Sequence, residues 1–482
     1  MPATTLAAAT LATLALVGPD GAALRAGPHD SAGLQAQLTP GDTLELRGER
    51  LDHWQVWDHR RERGGFVKRS QLRVIGSGPD DAASLLAVLR FLRDQPGAES
   101  LAIGYAAAYL KAVPARELGS EPLELIGTLA ERLGRRASSP GGSDSRLAAQ
   151  LDAVAAYGVR LLSVERDGRM RLCYDGAAWR QVLALPQAGA AARSRALLGL
   201  TRLECIDPGL PVVEQDAQLR QHATLLASLP DSAVATLPTE LRQRLQMRRA
   251  AVWSTLAFQQ ARRGEDARPT GEQALAALAA VDKTQLSDED QADYTEAAVR
   301  VGASRWAAQA PRSAPAGTRP AFVTRPGRPG ETCVLLLDAA HGEADPLLRR
   351  CTWGVVWAAS AAGHPTGQAA TIAVQPLATW RELWLARRSA QGGWTLEVLP
   401  PVAGNPLGED LGYVESAGWT AEPSPRLLLA REARADGRWQ RRFEVLSAAD
   451  LTLERQASTP DVLLAFKRWA DPAWRSGSVA LR

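Results

Sequence analysis

LALVGPDGAALRAGPHDSAGLQAQLTPGDTLELRGERLDHWQVWDHRRERGGFVKRSQLRVI, the stretch from Leu14 to Ile75, places apolar residues at a spacing near two, the period of half-buried strands. Leu14, Leu16, Leu24, Leu44, Leu46, Trp54 and Val56 mark the repeat. It is broken by Gly18-Pro19-Asp20-Gly21, Gly27-Pro28, Pro40-Gly41-Asp42 and Gly64-Gly65, residues that fix φ or permit positive φ where a chain reverses. Four or five short strands closing into a small barrel are expected. Within the strand around Trp54, alternation puts Trp54 and Val56 on the core face and His53, Gln55 and Trp57 on the other. Apolar ring left in water forgoes burial energy, so His53, Gln55, Trp57 and the nearby His59 form the expected binding surface, to be covered by the helical region or by a ligand.

The same stretch resembles a bacterial SH3-like (SH3b) domain. The resemblance is carried by LRAGP at Leu24 to Pro28, the turn Leu38 to Asp42, the aromatic strand His53 to Val56 and the closing GGFVKRSQL at Gly64 to Leu72. The family usually carries Trp where this chain has His53. It implies an exported protein whose small barrel binds a protein or cell-wall component, or caps its neighbour.

Outward from this stretch, the period turns helical. Leu85, Leu86, Leu89 and Leu92 form an i, i+3, i+4, i+7 stripe, and further helices are expected near 98–113, 121–133, 145–157, 176–185, 191–203, 216–228, 240–262, 270–280 and 287–308. A strand, a D-G turn and a second strand interrupt them near 159–174. Paired Ala- and Leu-rich helices weakly resemble tetratricopeptide hairpins. Ala310 to Gly330 is rich in Pro, Gly and Arg and reads as a linker. Nine of the fourteen Trp residues lie beyond Arg350, which with β-branched enrichment and regular turns indicates β-sheet, with strands expected at Cys351 to Ser360 and, as a late partner, at Val479 to Arg482 among others. The units beginning at Trp380 and Gly418 weakly resemble blades of TolB-like β-propellers, and closed propellers need at least four blades. The expected fold class is therefore multidomain α+β: an SH3-like barrel over 1–76, a mostly helical domain with an inserted hairpin over 77–310, a linker over 311–331, and a C-terminal all-β domain over 332–482, either an incomplete propeller or a sandwich.

A chain of 482 residues exceeds one hydrophobic core. Its net charge of +3 implies no acidic partner, and no basic stripe with interleaved aromatics points to nucleic acid. The run Leu6 to Val17 has the length of a signal-peptide core without preceding positive residues. It reads as the first strand, with any true signal upstream, or as a weak leader. No stretch is long and apolar enough for a membrane span.

The four cysteines fall into two neighbouring pairs, Cys173 with Cys205 and Cys333 with Cys351. Each pair closes a local loop, which favours two disulfides in an oxidising compartment over four buried thiols. A zinc site lacks the usual ligand spacings, so no metal and no cofactor are expected. Asp338, His341, Glu343 and Asp345 form the densest polar cluster and read as turn chemistry between strands; Asp288, Glu289 and Asp290 read as a helix start. The arginines 242, 244, 248, 249, 262 and 263 read as a solvated helix face. No catalytic motif appears. The expected function is a noncatalytic exported binding or scaffold protein; the alternative is a cell-wall hydrolase carried to its substrate by the SH3-like module.

Overall fold

The computed structural model describes residues 13–76, 78–139, 145–166, 168–310, 319–389, 391–402, 411–435 and 437–477. Residues 6–12 of the apolar run, most of the SSPGGSD loop, the first part of the expected linker and the strand expected at Val479 to Arg482 lie outside them. The chain forms two compact units. The first holds residues 1–211 and 231–236, the second 212–230 and 237–482.

The first unit opens with seven strands rather than the four or five expected: β1 (Leu14–Val17), β2 (Ala22–Arg25), β3 (Leu34–Leu38), β4 (Thr43–Arg50), β5 (His53–Asp58), β6 (Arg63–Lys68) and β7 (Leu72–Ile75). They pair antiparallel in the order β3-β2-β6-β5-β4-β1-β7. Every strand sends residues into one core, including Ala15 and Val17, Leu24, Leu38, Leu44, Val56, Val67 and Leu72, so the sheet curls around it.

Helices α1 (Ala82–Leu92), α2 (Glu99–Ala112), α3 (Glu121–Ala137) and α4 (Ser145–Ala155) follow, with Leu85, Leu89 and Leu92 buried as their spacing requires. Helix α2 meets the turn between β3 and β4 closely. Ser100 donates its hydroxyl to the Pro40 carbonyl at 2.8 Å, and a Cβ on Gly41, whose φ is +92°, would stand 2.5 Å from the Ser100 oxygen. Only glycine fits there. The hairpin β8 (Leu161–Arg166) and β9 (Arg169–Tyr174) leads to α5 (Ala177–Ala184), whose first N–H groups include one bonded to Asp175 Oδ1 at 2.9 Å, and to α6 (Ala190–Leu200).

Helix α7 (Val212–Ala227) belongs to the second unit, and the short α8 (Asp231–Ala235) to the first. The second unit continues with α9 (Thr239–Arg262), α10 (Arg268–Ala279) and α11 (Asp288–Ser304), the last extended by a 3₁₀ turn at Arg305–Ala308. The helical region expected over 77–310 is therefore not one body: α1 to α6 share a unit with the N-terminal sheet, while α7 and α9 to α11 share one with the C-terminal strands.

Residues Ala321–Pro326, expected as linker, form β10. Phe322 is buried, and the strand pairs antiparallel with β11 (Thr332–Leu337), which pairs with β12 (Leu348–Thr352). The apolar run Ala321 to Val323 outweighs the surrounding Pro and Arg. One strand expected over 351–360 is two, separated at Trp353 and Gly354. β13 (Val355–Gly363), β14 (Ala369–Leu377), β15 (Trp380–Arg388), β16 (Trp394–Leu399), β17 (Gly412–Trp419), β18 (Arg426–Ala435), β19 (Arg438–Ser447) and β20 (Leu453–Ala457) make an eight-stranded sheet. A parallel contact between β15 and β17 joins its two halves, so the blade-like units are continuous rather than separate. One face packs on β10 and β11 through Phe322, Val334, Ile372 and Trp384. Phe258 and Ala307 from the helices pack on Trp357 and Ala373. The chain then turns helical, with α12 (Leu464–Trp469) and α13 (Pro472–Gly477).

Candidate functional site

The expected N-terminal surface is only partly a surface. Val56 is in the core, and Trp54 packs half-buried against it beneath the Arg69 guanidinium. On the other side Gln55 is exposed, but His53 is only 1% exposed. Its Nδ1 lies 2.7 Å from Asp52 Oδ1, and its Nε2 lies 3.6 Å from the Asp30 carboxylate. His53 is thus withdrawn from the expected binding surface, with the Asp52 and Asp30 carboxylates beside its ring nitrogens. Trp57 is half-buried under the Arg47 guanidinium, 4.5 Å from its ring centre. Arg47 also donates to Glu45, which accepts a second bond from the exposed His59 at 2.6 Å. Those two bonds hold the Glu45 carboxyl below its usual range. The apolar area of Trp57 is therefore covered in part from its own sheet.

Both expected disulfides are present. Cys173 on β9 bonds Cys205, which follows α6, and Cys333 bonds Cys351 directly opposite it on β12. Glu331 places a carboxylate oxygen within 4.8 Å of the second pair, but the two sulfurs are spent on each other and offer no thiolate to a metal.

The cluster between β11 and β12 resolves into turn chemistry. Asp338 Oδ1 accepts the backbone N–H groups of Ala340 and His341 and stands 2.8 Å from His341 Nδ1, a set of bonds that lowers the Asp338 pKa. Glu343 pairs instead with Arg325. At the start of α11, Ser287 Oγ accepts the Asp290 N–H and Asp290 takes Arg244 at 2.7 Å. Of the other arginines expected on a solvated face, Arg249 is buried and donates to the carbonyls of Leu226 and Leu229, and Arg263 bridges Asp216 and Glu265.

A second constellation, which the sequence does not announce, lies inside the second unit. Strand alternation on β17 turns Glu415 inward, and it is 1% exposed. Its Oε2 accepts from Arg305 Nε at 2.8 Å and from Arg381 Nη2 at 2.9 Å, and its Oε1 accepts from Trp474 Nε1 at 3.0 Å. Arg381, on β15, is wholly buried. Its Nη1 donates to the Gly302 carbonyl at 2.7 Å and the Ala303 carbonyl at 3.3 Å, where the negative end of the α11 dipole favours a cation. Burial brings the Arg381 pKa down to about 10 against the pull of Glu415, so it is charged at neutral pH. Burial also opposes the Glu415 charge, but the two guanidiniums outweigh it and hold this carboxyl below its ordinary value.

Beside this group Tyr413 donates to Glu432 at 3.0 Å, and Arg441 donates to the other Glu432 oxygen at 2.9 Å. Burial raises the Glu432 pKa despite Arg441. Helix α11 approaches Tyr413 through Gly302, where a Cβ would stand 2.4 Å from the ring.

Arg305, Glu415 and Trp474 of this cluster border a cavity of about 340 Å³. Trp306, Trp419, Trp469 and Trp474 line it, together with Arg305 and Ser416 among others. Buried indole N–H groups usually find an acceptor. Here the Nε1 atoms of Trp306 and Trp419 and the Ser416 Oγ are buried with no hydrogen-bond partner. Nothing in the residue order reveals this site, because its members come from four distant segments; the C-terminal Trp enrichment was its one visible trace, and it reads equally as strand composition.

No family model, curated protein or solved structure matches the chain.

Proposed function

We propose that this chain is a noncatalytic exported protein of the periplasm or cell envelope. Its N-terminal sheet acts as an SH3-like barrel that binds a protein or cell-wall component, and its C-terminal β domain serves as scaffold. The observation that carries the reading is the engagement of all four cysteines in two disulfides, since such bonds persist in oxidising compartments and are rare in the cytosol. The binding role is supported by the patch of Trp57, Arg47, Glu45 and His59, a ring and three charged or titratable groups bonded together on β4, β5 and the turn that follows β5. No helix of the described residues is long and apolar enough to cross a membrane.

The cell-wall hydrolase remains a second reading on one observation, the bond that orients His341 against Asp338. Purified sacculus tests both. Retention of the chain on sacculus or on an envelope protein, reduced at least tenfold in Arg47→Ala/Trp57→Ala with its folding intact, is the expected result. Release of muropeptides that stops with His341→Ala would replace the binding reading by the hydrolase. Retention unaffected by the double substitution would remove the barrel patch from the proposal.

A further inference from the structure

Opposite charges line the tryptophan-walled cavity of the second unit and answer one another, which leaves hydrogen-bonding groups and rings to choose a ligand. We infer that the cavity binds an uncharged saccharide, with a sugar ring against the indoles and its hydroxyls bonded along the polar part of the wall.

Charge removes the ionic classes. Arg305 lines the cavity as a cation, and Glu415 and Asp471 line it as anions. An anion placed there meets two carboxylates and a cation meets the guanidinium, so either gives up water for a like charge. A zwitterion such as a free amino acid carries no net charge, but its ends need counter-charges of their own. Arg305 has already given its charge to Glu415 at 2.8 Å, and Glu415 is taken on both oxygens by Arg305, Arg381 and Trp474. A ligand without charges avoids all of these conflicts.

Hydrogen bonding narrows the choice further. Among the described residues Arg305 donates through Nε alone, which leaves its terminal nitrogens as donors. Asp471 is exposed and spends Oδ1 on the Ala473 N–H at 2.8 Å, which leaves Oδ2 as an acceptor. Gln309 is exposed, and its side-chain amide, bonded to none of the described residues, both donates and accepts. A hydroxyl also does both, so a polyol meets all three groups, whereas a hydrocarbon of the same size strips water from them and returns nothing. The rings distinguish a sugar from an open polyol. Trp306, Trp419 and Trp469 line the cavity half-buried, and the C–H groups on one face of a pyranose carry slight positive charge that suits the negative face of an indole. The volume of about 340 Å³ lies at the lower end of the range of small-ligand pockets, about 300 to 1,000 Å³, and so favours a short saccharide over a long one.

Such a ring occurs free or as the end of a glycan, and the two sources separate experimentally. Calorimetry and saturation-transfer NMR on the full chain would use glucose, galactose, mannose and N-acetylglucosamine with the disaccharides cellobiose, lactose and chitobiose. Glucuronate, glucosamine, glycine betaine and cyclohexanol serve as the anionic, cationic, zwitterionic and apolar counterparts. The expected result is saturable binding of at least one neutral sugar, with every counterpart at least tenfold weaker. A disaccharide at least tenfold tighter than its monosaccharide assigns the glycan end; a smaller gain assigns the free sugar. Because Arg305 also holds Glu415, Gln309→Ala and Trp469→Leu are the informative variants. Gln309→Ala removes an exposed amide with no bond in the described fold, so unfolding temperature stays unchanged while affinity falls about threefold or more, and Trp469→Leu removes a ring and should weaken binding about tenfold or more. The inference is overturned if no neutral sugar of the set binds, if any counterpart binds within tenfold of the best sugar, or if both variants bind as the parent does. The cavity lies wholly in the second unit and the sacculus-binding patch in the first, so Arg47→Ala/Trp57→Ala should keep the sugar affinity of the parent, and failure of either reading leaves the other standing.

Discussion

Glu415 is the residue on which the interior of the second unit depends. Replacing it by Gln leaves Arg305 and Arg381 buried without an anion between them. Removing one partner of a buried ion pair costs about 3 to 5 kcal/mol, so Glu415→Gln should lower stability by that order in urea or guanidinium unfolding. The acid limb gives a second readout. A carboxyl whose folded pKa lies below its unfolded value stabilises the fold above the unfolded value and loses that contribution as pH falls through the folded one. Glu415 is such a group, so its contribution declines on acidification below the ordinary glutamate value of 4.5. Glu432 has the opposite sign: its pKa is raised in the fold, so it costs stability at neutral pH and relieves that cost as it protonates. Glu415→Gln should therefore flatten the loss of stability between about pH 5 and 3, whereas Glu432→Gln should remove a gain that acidification brings above the ordinary glutamate value of 4.5. Parallel acid limbs in the parent and both variants would contradict these assignments.

Among the elements, the junction of α11 with β17 leaves no room for a side chain at Gly302. Gly302 stands against the Tyr413 ring so closely that a methyl group would meet it at 2.4 Å, and backbone carbonyls of the same helix turn accept Arg381. Gly302→Ala forces the helix away from the strand and disturbs both contacts. Overpacking of this kind costs about 1 to 3 kcal/mol, and the expected outcome is a fall in unfolding temperature despite the better helix propensity of Ala; an unchanged or higher temperature would show that the junction yields freely. The elements themselves were legible where one period dominated. Leu85, Leu89 and Leu92 declared α1. Where two signals competed, one masked the other: Pro and Arg around Phe322 hid β10, and the aromatic enrichment that marked the C-terminal domain as all-β left no place for α12 and α13. His53 failed for a different reason. Alternation separates it from Trp54 and Val56 but says nothing of the carboxylates beside its ring, Asp30 from the β2–β3 turn and Asp52, its neighbour in the β4–β5 turn.

At the scale of the whole molecule, the chain passes from the first unit into the second for α7, returns for α8 and leaves again. A linear division of the sequence misses such a path, because composition changes little across residues 211 to 237 and only packing distinguishes the owners of the two helices. The cavity was hidden by the same non-locality. Glu415 reaches Arg305 110 residues upstream and Trp474 59 residues downstream, and that separation has a consequence in time. Contacts that close long loops form only after the entropy of closure has been met, so they tend to be made late in folding. The ion cluster should be absent from the rate-limiting barrier. Stopped-flow measurements on Glu415→Gln are then expected to show most of the lost stability as faster unfolding, with refolding of the slowest phase nearly unchanged; a refolding rate reduced in proportion to the whole loss would place the cluster in the nucleus instead. A late-forming centre also means that loss of the last helix spares the early steps: a chain lacking Trp474 would begin folding at its normal rate and fail only to keep the result.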